Sequence, residues 1–228
     1  MIRKVNGISL YFEKTGSGPS LLLLHGNGES HHIFDPLAGK LRAHFTVYAV
    51  DSRNHGQSDR TDDYSYETMA EDCYALIRAL SLRRVHLAGF SDGAVIALLL
   101  ALRHPEVIER LVLMGVNLSP KDFTREEYRK IKREYRETGD PLLRLMLTEP
   151  NIKPKQLHHI TAPCLVTAAE HDVFRPEAFR TVLQNLPDAE MLTFFGHTHD
   201  SYITGKDLLY LHLLNFLTGK PLFPDVLK

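Results

Sequence analysis

The sequence is short of cysteine, has no excess of basic charge and contains no long apolar run, and each shortage removes a class of protein. Its two cysteines are Cys73 and Cys164. One falls on a helix face and the other on a strand, so both read as buried free thiols in a reducing compartment, with no disulfide framework. Lys and Arg number 27 against 28 Asp and Glu, a formal net charge of -1. Proteins that bind polyanions carry a basic excess, so no nucleic-acid partner is expected. The longest apolar run, Ala94 to Leu102, is nine residues, whereas a helix needs about 20 to cross a bilayer. The opening residues, Met1-Ile2-Arg3-Lys4-Val5-Asn6-Gly7, are too polar to read as a signal peptide. A cytoplasmic protein with no membrane association is therefore expected.

What the chain does contain is ordinary in amount and pointed in arrangement. Its 228 residues, 43% hydrophobic and 24% charged, suffice for one domain with a substantial core, or one domain with a small insertion. The most informative stretch is Val85-His86-Leu87-Ala88-Gly89-Phe90-Ser91-Asp92-Gly93-Ala94. It is an apolar strand-like run that ends in Gly-x-Ser-x-Gly and passes straight into an apolar helix-like run. A serine hydroxyl is a weak nucleophile unless it is exposed, given a base, and faced with donors for the oxyanion that forms. A tight strand-to-helix turn exposes it, and such a turn leaves no room for side chains at positions 89 and 93. The main-chain N–H of Asp92 then lies at a helix N-terminus, where unpaired donors and the dipole favour negative charge.

In chain order, Ile8 to Lys14 alternates apolar and polar residues, as a half-buried strand near a sheet edge does. Leu21 to Leu24 is continuously apolar, as a strand covered on both faces is. It ends in His25-Gly26-Asn27-Gly28, small residues whose N–H groups can point into the crevice of an open α/β sheet. The backbone of Asn27 is the candidate second oxyanion donor. A helix is expected over 32–43, a strand over 46–50, and then the polar loop Asp51-Ser52-Arg53-Asn54-His55-Gly56-Gln57-Ser58, whose first role is scaffold. Ser65 caps a helix with Met69, Cys73, Leu76, Ile77 and Leu80 on one face. A covered strand follows over 111–114.

His-Gly-x-Gly after one strand, Asp-x-Arg-x-His-Gly-x-Ser after the next and Gly-x-Ser-x-Gly after the third resemble the α/β-hydrolase fold family in order and spacing. Asn54 stands where many members have glycine, and asparagine tolerates a left-handed backbone better than other residues. The resemblance implies an α/β fold with a mostly parallel eight-stranded sheet flanked by helices. It also implies a core of 1–116 and 162–228, with a small helical lid inserted over 117–161. Within that insertion Thr124-Arg125-Glu126-Glu127 is a capping-box signature ahead of a charged helix with a Tyr128, Ile131, Tyr135 stripe. A more apolar helix follows from Asp140, and its Leu142, Leu145 and Met146 are candidates to line an apolar substrate pocket.

A further strand over 164–168 leads to Glu170-His171-Asp172. A carboxylate just past that strand shares a rim with Ser91, where an orienting acid belongs; the resemblance points to Asp172, with Glu170 the competitor. Helix 176–186 and strand 190–195 precede Gly196-His197-Thr198-His199-Asp200-Ser201-Tyr202. His199, four residues beyond Phe195, has better reach to Ser91 than His197, and it matches the family's His before a Ser-Tyr-Ile-like segment. A closing helix over 206–217 ends at Gly219 and Pro221.

The leading functional expectation is a serine hydrolase of small esters or related acyl compounds, with Ser91 as nucleophile, His199 as base and Asp172 as orienting acid. The N–H groups of Asn27 and Asp92 would hold the oxyanion, and no cofactor is required. One alternative is a ligand-binding protein on the same fold with little turnover. Another is a metal-dependent hydrolase using His171, Asp172, His197, His199 and Asp200, although a full two-metal ligand set is missing from the pattern.

Overall fold

A computed structural model describes residues 1–220. Eight strands form one sheet: β1 (Ile2–Val5), β2 (Ile8–Thr15), β3 (Ser20–Leu24), β4 (Thr46–Val50), β5 (Val85–Phe90), β6 (Ile108–Met114), β7 (Cys164–His171) and β8 (Ala189–Thr198). Their spatial order is β1-β2-β4-β3-β5-β6-β7-β8. The β1/β2 and β2/β4 pairs are antiparallel and every later pair is parallel. The central strands β3 and β5 are buried almost throughout, which explains their continuous apolar runs. By contrast β1 is a polar edge strand with Val5 alone buried, and nothing in its residue pattern marks it as a strand.

Of the seven α-helices among the described residues, five cover the two faces. One face packs α2 (Tyr66–Ala79), α3 (Asp92–Arg103) and α6 (Pro176–Asn185) into a single apolar cluster; the other packs α1 (Asp35–Leu41) and α7 (Tyr210–Leu217). Ser65 caps α2, its side chain accepting the Glu67 N–H at 3.2 Å. Helix α3 is buried from Asp92 to Ala101, as its all-round apolar sequence requires. Two helices differ from their expected extents. The segment over 32–43 is a 3-10 turn, His31–Phe34, followed by α1, with Pro36 in the first turn of α1 where a missing N–H is harmless. The last helix begins at Tyr210 rather than 206, and its chain turns out at Gly219 with φ 74; Pro221 lies outside the described residues.

Between β6 and β7 the chain runs through a 3-10 turn, Pro120–Asp122, then α4 (Arg125–Thr138), α5 (Pro141–Thr148) and a second 3-10 turn, Pro154–His159. Thr124 caps α4 and Asp140 caps α5. Gly139 ends α4 in the left-handed region, as helix C-termini commonly require.

The sheet order places the functional crevice. Strand β3 leads on to β4 on one side and its other neighbour, β5, leads on to β6 on the opposite side, so the connections from these two adjacent strands diverge, and ligands in open α/β sheets bind past the carboxyl ends of strands at such a point. The loop after β3 is His25-Gly26-Asn27-Gly28, and the residue after β5 is Ser91.

Candidate active site

Ser91 sits between β5 and α3 with φ 53 and ψ -117, a backbone conformation that costs a non-glycine residue about 1–3 kcal/mol and persists only where the surroundings impose it. Those surroundings are the two glycines. A Cβ on Gly89 would lie 2.0 Å from the Gly93 carbonyl oxygen, and one on Gly93 would lie 2.1 Å from that of Leu24. The Ser91 N–H donates to the Met114 carbonyl at 2.8 Å, which fixes the turn against β6.

Three side chains from three loops meet here. Ser91 Oγ is 3.0 Å from His199 Nε2, and His199 Nδ1 is 2.8 Å from Asp172 Oδ1. A carboxylate accepts only, so Nδ1 carries the proton and donates to Asp172, leaving Nε2 to accept from the serine hydroxyl. Asp172 is itself held by the N–H groups of Ala169 at 3.1 Å and Phe174 at 3.2 Å. The His199 ring is packed between Phe90, 4.9 Å away, and Phe174, 5.3 Å away and edge-on. The other candidates are engaged elsewhere. His197 lies within β8 with Nδ1 3.0 Å from Ser201 Oγ, and Glu170 accepts the Gly196 N–H at 2.8 Å. Among the described residues no three His, Cys, Asp or Glu side chains converge as a metal-ligand group.

A cleft of about 310 Å³ opens over Ser91, walled by Gly26, Asn27, Phe90, Phe123, Met146 and Val173. Of the three α5 residues named as pocket-lining candidates, Met146 faces this cleft. Leu142 meets the site through its carbonyl, which accepts from Asn27 Nδ2 at 3.2 Å. Leu145 is turned away into the apolar core, 3% exposed. Leu142 and Met146 are four residues apart and share a helix face, whereas Leu145 lies about 100° around the axis from Met146.

A family model for the α/β hydrolase fold matches residues 19–143. The chain belongs to the α/β-hydrolase fold family. An uncharacterized protein of Mycobacterium tuberculosis is 32% identical over 198 residues, 86% of this chain and 56% of its own. The sn-1-specific diacylglycerol lipase of Mus musculus is 42% identical over 108 residues, 46% of this chain and 34% of its own. The chain thus spans about half, or less, of the length of these curated relatives. The crystal structure of the enol-lactonase from Burkholderia xenovorans LB400 superimposes with a TM-score of 0.80 over 96% of this chain and 100% of that one, at 22% identity; at that identity the likeness is one of fold.

Residues that the sequence did not single out also touch this candidate site. Gly115, just past β6 with φ 61, lies under the His199 ring: a Cβ there would be 2.5 Å from His199 Cε1. A glycine contact with a ring so distant in sequence leaves no local signal. The Asp92 carboxylate accepts from Asn27 Nδ2 at 2.8 Å, tying the loop after β3 to the start of α3. Burial pushes the Asp92 carboxyl above its ordinary range, against the pull of Asn27 and the buried Tyr66 beside it. Glu29 lines the cleft and accepts the Gly26 N–H at 2.9 Å, and burial raises its carboxyl as well. Asp200 and Glu127 also reach the cleft, while its one lysine, Lys130, is 3.1 Å from Glu127. The cleft therefore carries an excess of carboxylates.

The loop after β4 is structural. Asp51 takes the His31 N–H at 2.7 Å and faces His31 Nδ1 at 2.8 Å, and Arg53 grips Asp72 through Nε at 2.7 Å and Nη2 at 2.8 Å. Beneath the crevice His25 accepts the Ser52 N–H on Nε2 at 3.1 Å and donates from Nδ1 to the Gly26 carbonyl at 2.7 Å. Burial, reinforced by His55 nearby, pushes the His25 imidazole down to about 4, so it stays neutral and holds both bonds.

Proposed function

We propose that this protein is a serine hydrolase that cleaves a small, uncharged carboxylic ester or related acyl compound. The observation that carries the reading is the line of hydrogen bonds from Ser91 through His199 to Asp172, at 3.0 and 2.8 Å, at the floor of a cleft. Ser91 Oγ attacks the carbonyl carbon as its proton passes to His199 Nε2, and Asp172 stabilises the imidazolium. The oxyanion is held by the N–H groups of Asn27 and of Asp92, the first residue of α3. Collapse returns the proton to the leaving alkoxide and leaves an acyl-Ser91, which water, deprotonated by His199, hydrolyses to the acid.

Size and charge support the substrate class. A volume near 310 Å³ is at the lower end for small-molecule sites. The carboxylates Glu29 and Asp200 at its rim disfavour a substrate that brings its own negative charge. Helices α4 and α5 act as a lid in this reading, with Met146 against the acyl group. Kinetics on a panel of short p-nitrophenyl esters test it: Ser91→Ala is expected to lower kcat by roughly 10⁶-fold without unfolding the chain. Turnover that survives in Ser91→Ala would remove the proposal.

A further inference from the structure

A second and larger cavity, of about 740 Å³, lies on the other side of Phe123 from the Ser91 cleft; Phe123 walls both. It is bounded by the Pro120–Asp122 turn, one face of α4, the end of α5 and Arg175. Five cationic side chains line it, Lys121, Arg125, Arg129, Lys132 and Arg175, and no carboxylate does. In a chain of net charge -1 this is a local segregation of charge, not a property of the whole surface.

The neighbouring acids form no ion pair with these cations, although Glu126 and Glu127 line an adjoining cavity together with Arg125 and Arg129. Glu127 is paired with Lys130 and Glu177 with Arg180, and Asp122 accepts the N–H groups of Leu118 and Ser119. Among the described residues none of the five cations has an ion-pair partner within 4.0 Å. Arg175 instead donates to the Lys121 carbonyl at 2.6 Å, which joins two sides of the rim. On α4, Arg125 and Arg129 are four residues apart and Arg129 and Lys132 three apart, spacings at which like charges destabilise a helix. The walls between these charges are apolar: Pro120, Phe123, Tyr128 and Leu147.

We propose that this groove is a binding site for a single soluble anionic amphiphile, a phosphate or carboxylate headgroup on a short apolar chain. The headgroup lies among Arg125, Arg129 and Lys132, where charge-assisted and bidentate hydrogen bonds are available, and the chain lies along Phe123 and Tyr128. The concavity and volume suit one small molecule rather than a bilayer surface.

Calorimetric titration of the full chain with octyl phosphate tests the proposal. One saturable site is expected, with affinity falling steeply between about 50 mM and about 500 mM NaCl as the charges are screened. Octyl glucoside and inorganic phosphate should each bind at least about tenfold more weakly, because each supplies one of the two contacts. The double substitution Arg129→Gln and Lys132→Gln should weaken octyl phosphate at least about tenfold, whereas Lys4→Gln, on the exposed edge strand β1, should leave it unchanged; all three positions are exposed, and melting temperature monitors the fold. Unchanged binding in the double variant overturns the proposal, as does equal weakening by Lys4→Gln, which would make the effect one of overall charge. Capture on phosphatidylglycerol vesicles without binding of octyl phosphate would likewise overturn it in favour of a membrane surface.

Discussion

Replacing Gly115 with alanine places a methyl carbon 2.5 Å from His199 Cε1 and 2.9 Å from its Nδ1. Carbon atoms pack at about 3.5–4.0 Å, so the ring must retreat by about 1 Å or more. It is confined by Phe90 and Phe174 and cannot retreat without lengthening the bonds to Ser91 and Asp172, now 3.0 and 2.8 Å. A misplacement of that size in a reacting group costs about 10²-fold. Alanine at φ 61 adds about 1–2 kcal/mol of backbone strain, a melting-temperature loss of roughly 2–8 °C for a chain this size. Gly139 separates the two effects: its φ is 69, and a Cβ there meets nothing within 4 Å. Gly139→Ala should therefore show the same stability loss with normal turnover, while Gly115→Ala should lose about 10²-fold in kcat on a p-nitrophenyl ester. Equal activity in the two variants, with equal melting temperatures, would refute the claim that Gly115 sets the position of His199.

Two further predictions concern charge. The His25 pKa falls from 6.5 to about 4 on folding, mainly through burial, so its contribution to stability is complete above pH 6.5 and is lost as the pH drops toward 4, where the unfolded chain binds a proton and the folded one does not. At about 1.4 kcal/mol per unit this is up to about 3 kcal/mol. Urea unfolding across that range should show the decline in wild type and a flatter profile in His25→Asn; a parallel profile would count against it. Glu29→Gln removes a carboxylate from the cleft and should improve kcat/KM for an anionic ester such as mono-p-nitrophenyl succinate roughly tenfold relative to p-nitrophenyl butyrate. An unchanged ratio would show that Glu29 does not face the substrate.

Much of the fold is readable from residue order because its signals are local. Leu21 to Leu24 is apolar at every position because β3 is covered on both faces, and Gly89 and Gly93 flank Ser91 because the turn between β5 and α3 has no space for a Cβ. The caps of α2, α4 and α5, at Ser65, Thr124 and Asp140, are likewise set by residues next to them. The less legible parts depend on contacts across the chain. The edge strand Ile2–Val5 is exposed at three of its four positions and has no periodicity to betray it. Leu145 looks like Leu142 and Met146 in an apolar run, and its inward direction follows from how α5 lies on the core. Gly115 and the Asp92 carboxylate matter through His199 and Asn27, partners that local sequence cannot name. Ser91, Asp172 and His199 lie between these extremes: the motif marks the first, while the other two follow from the family's loop order and meet the serine in the folded chain.

In the proposed reaction Ser91 is a nucleophile made reactive by His199 and Asp172. Labelling the intact protein with a fluorophosphonate probe and mapping the adduct by mass spectrometry tests this most directly. Ser91 should carry the adduct, and labelling should be lost in Ser91→Ala and strongly slowed in His199→Ala. Absence of any adduct at Ser91, under conditions that label a known serine hydrolase, would contradict the account.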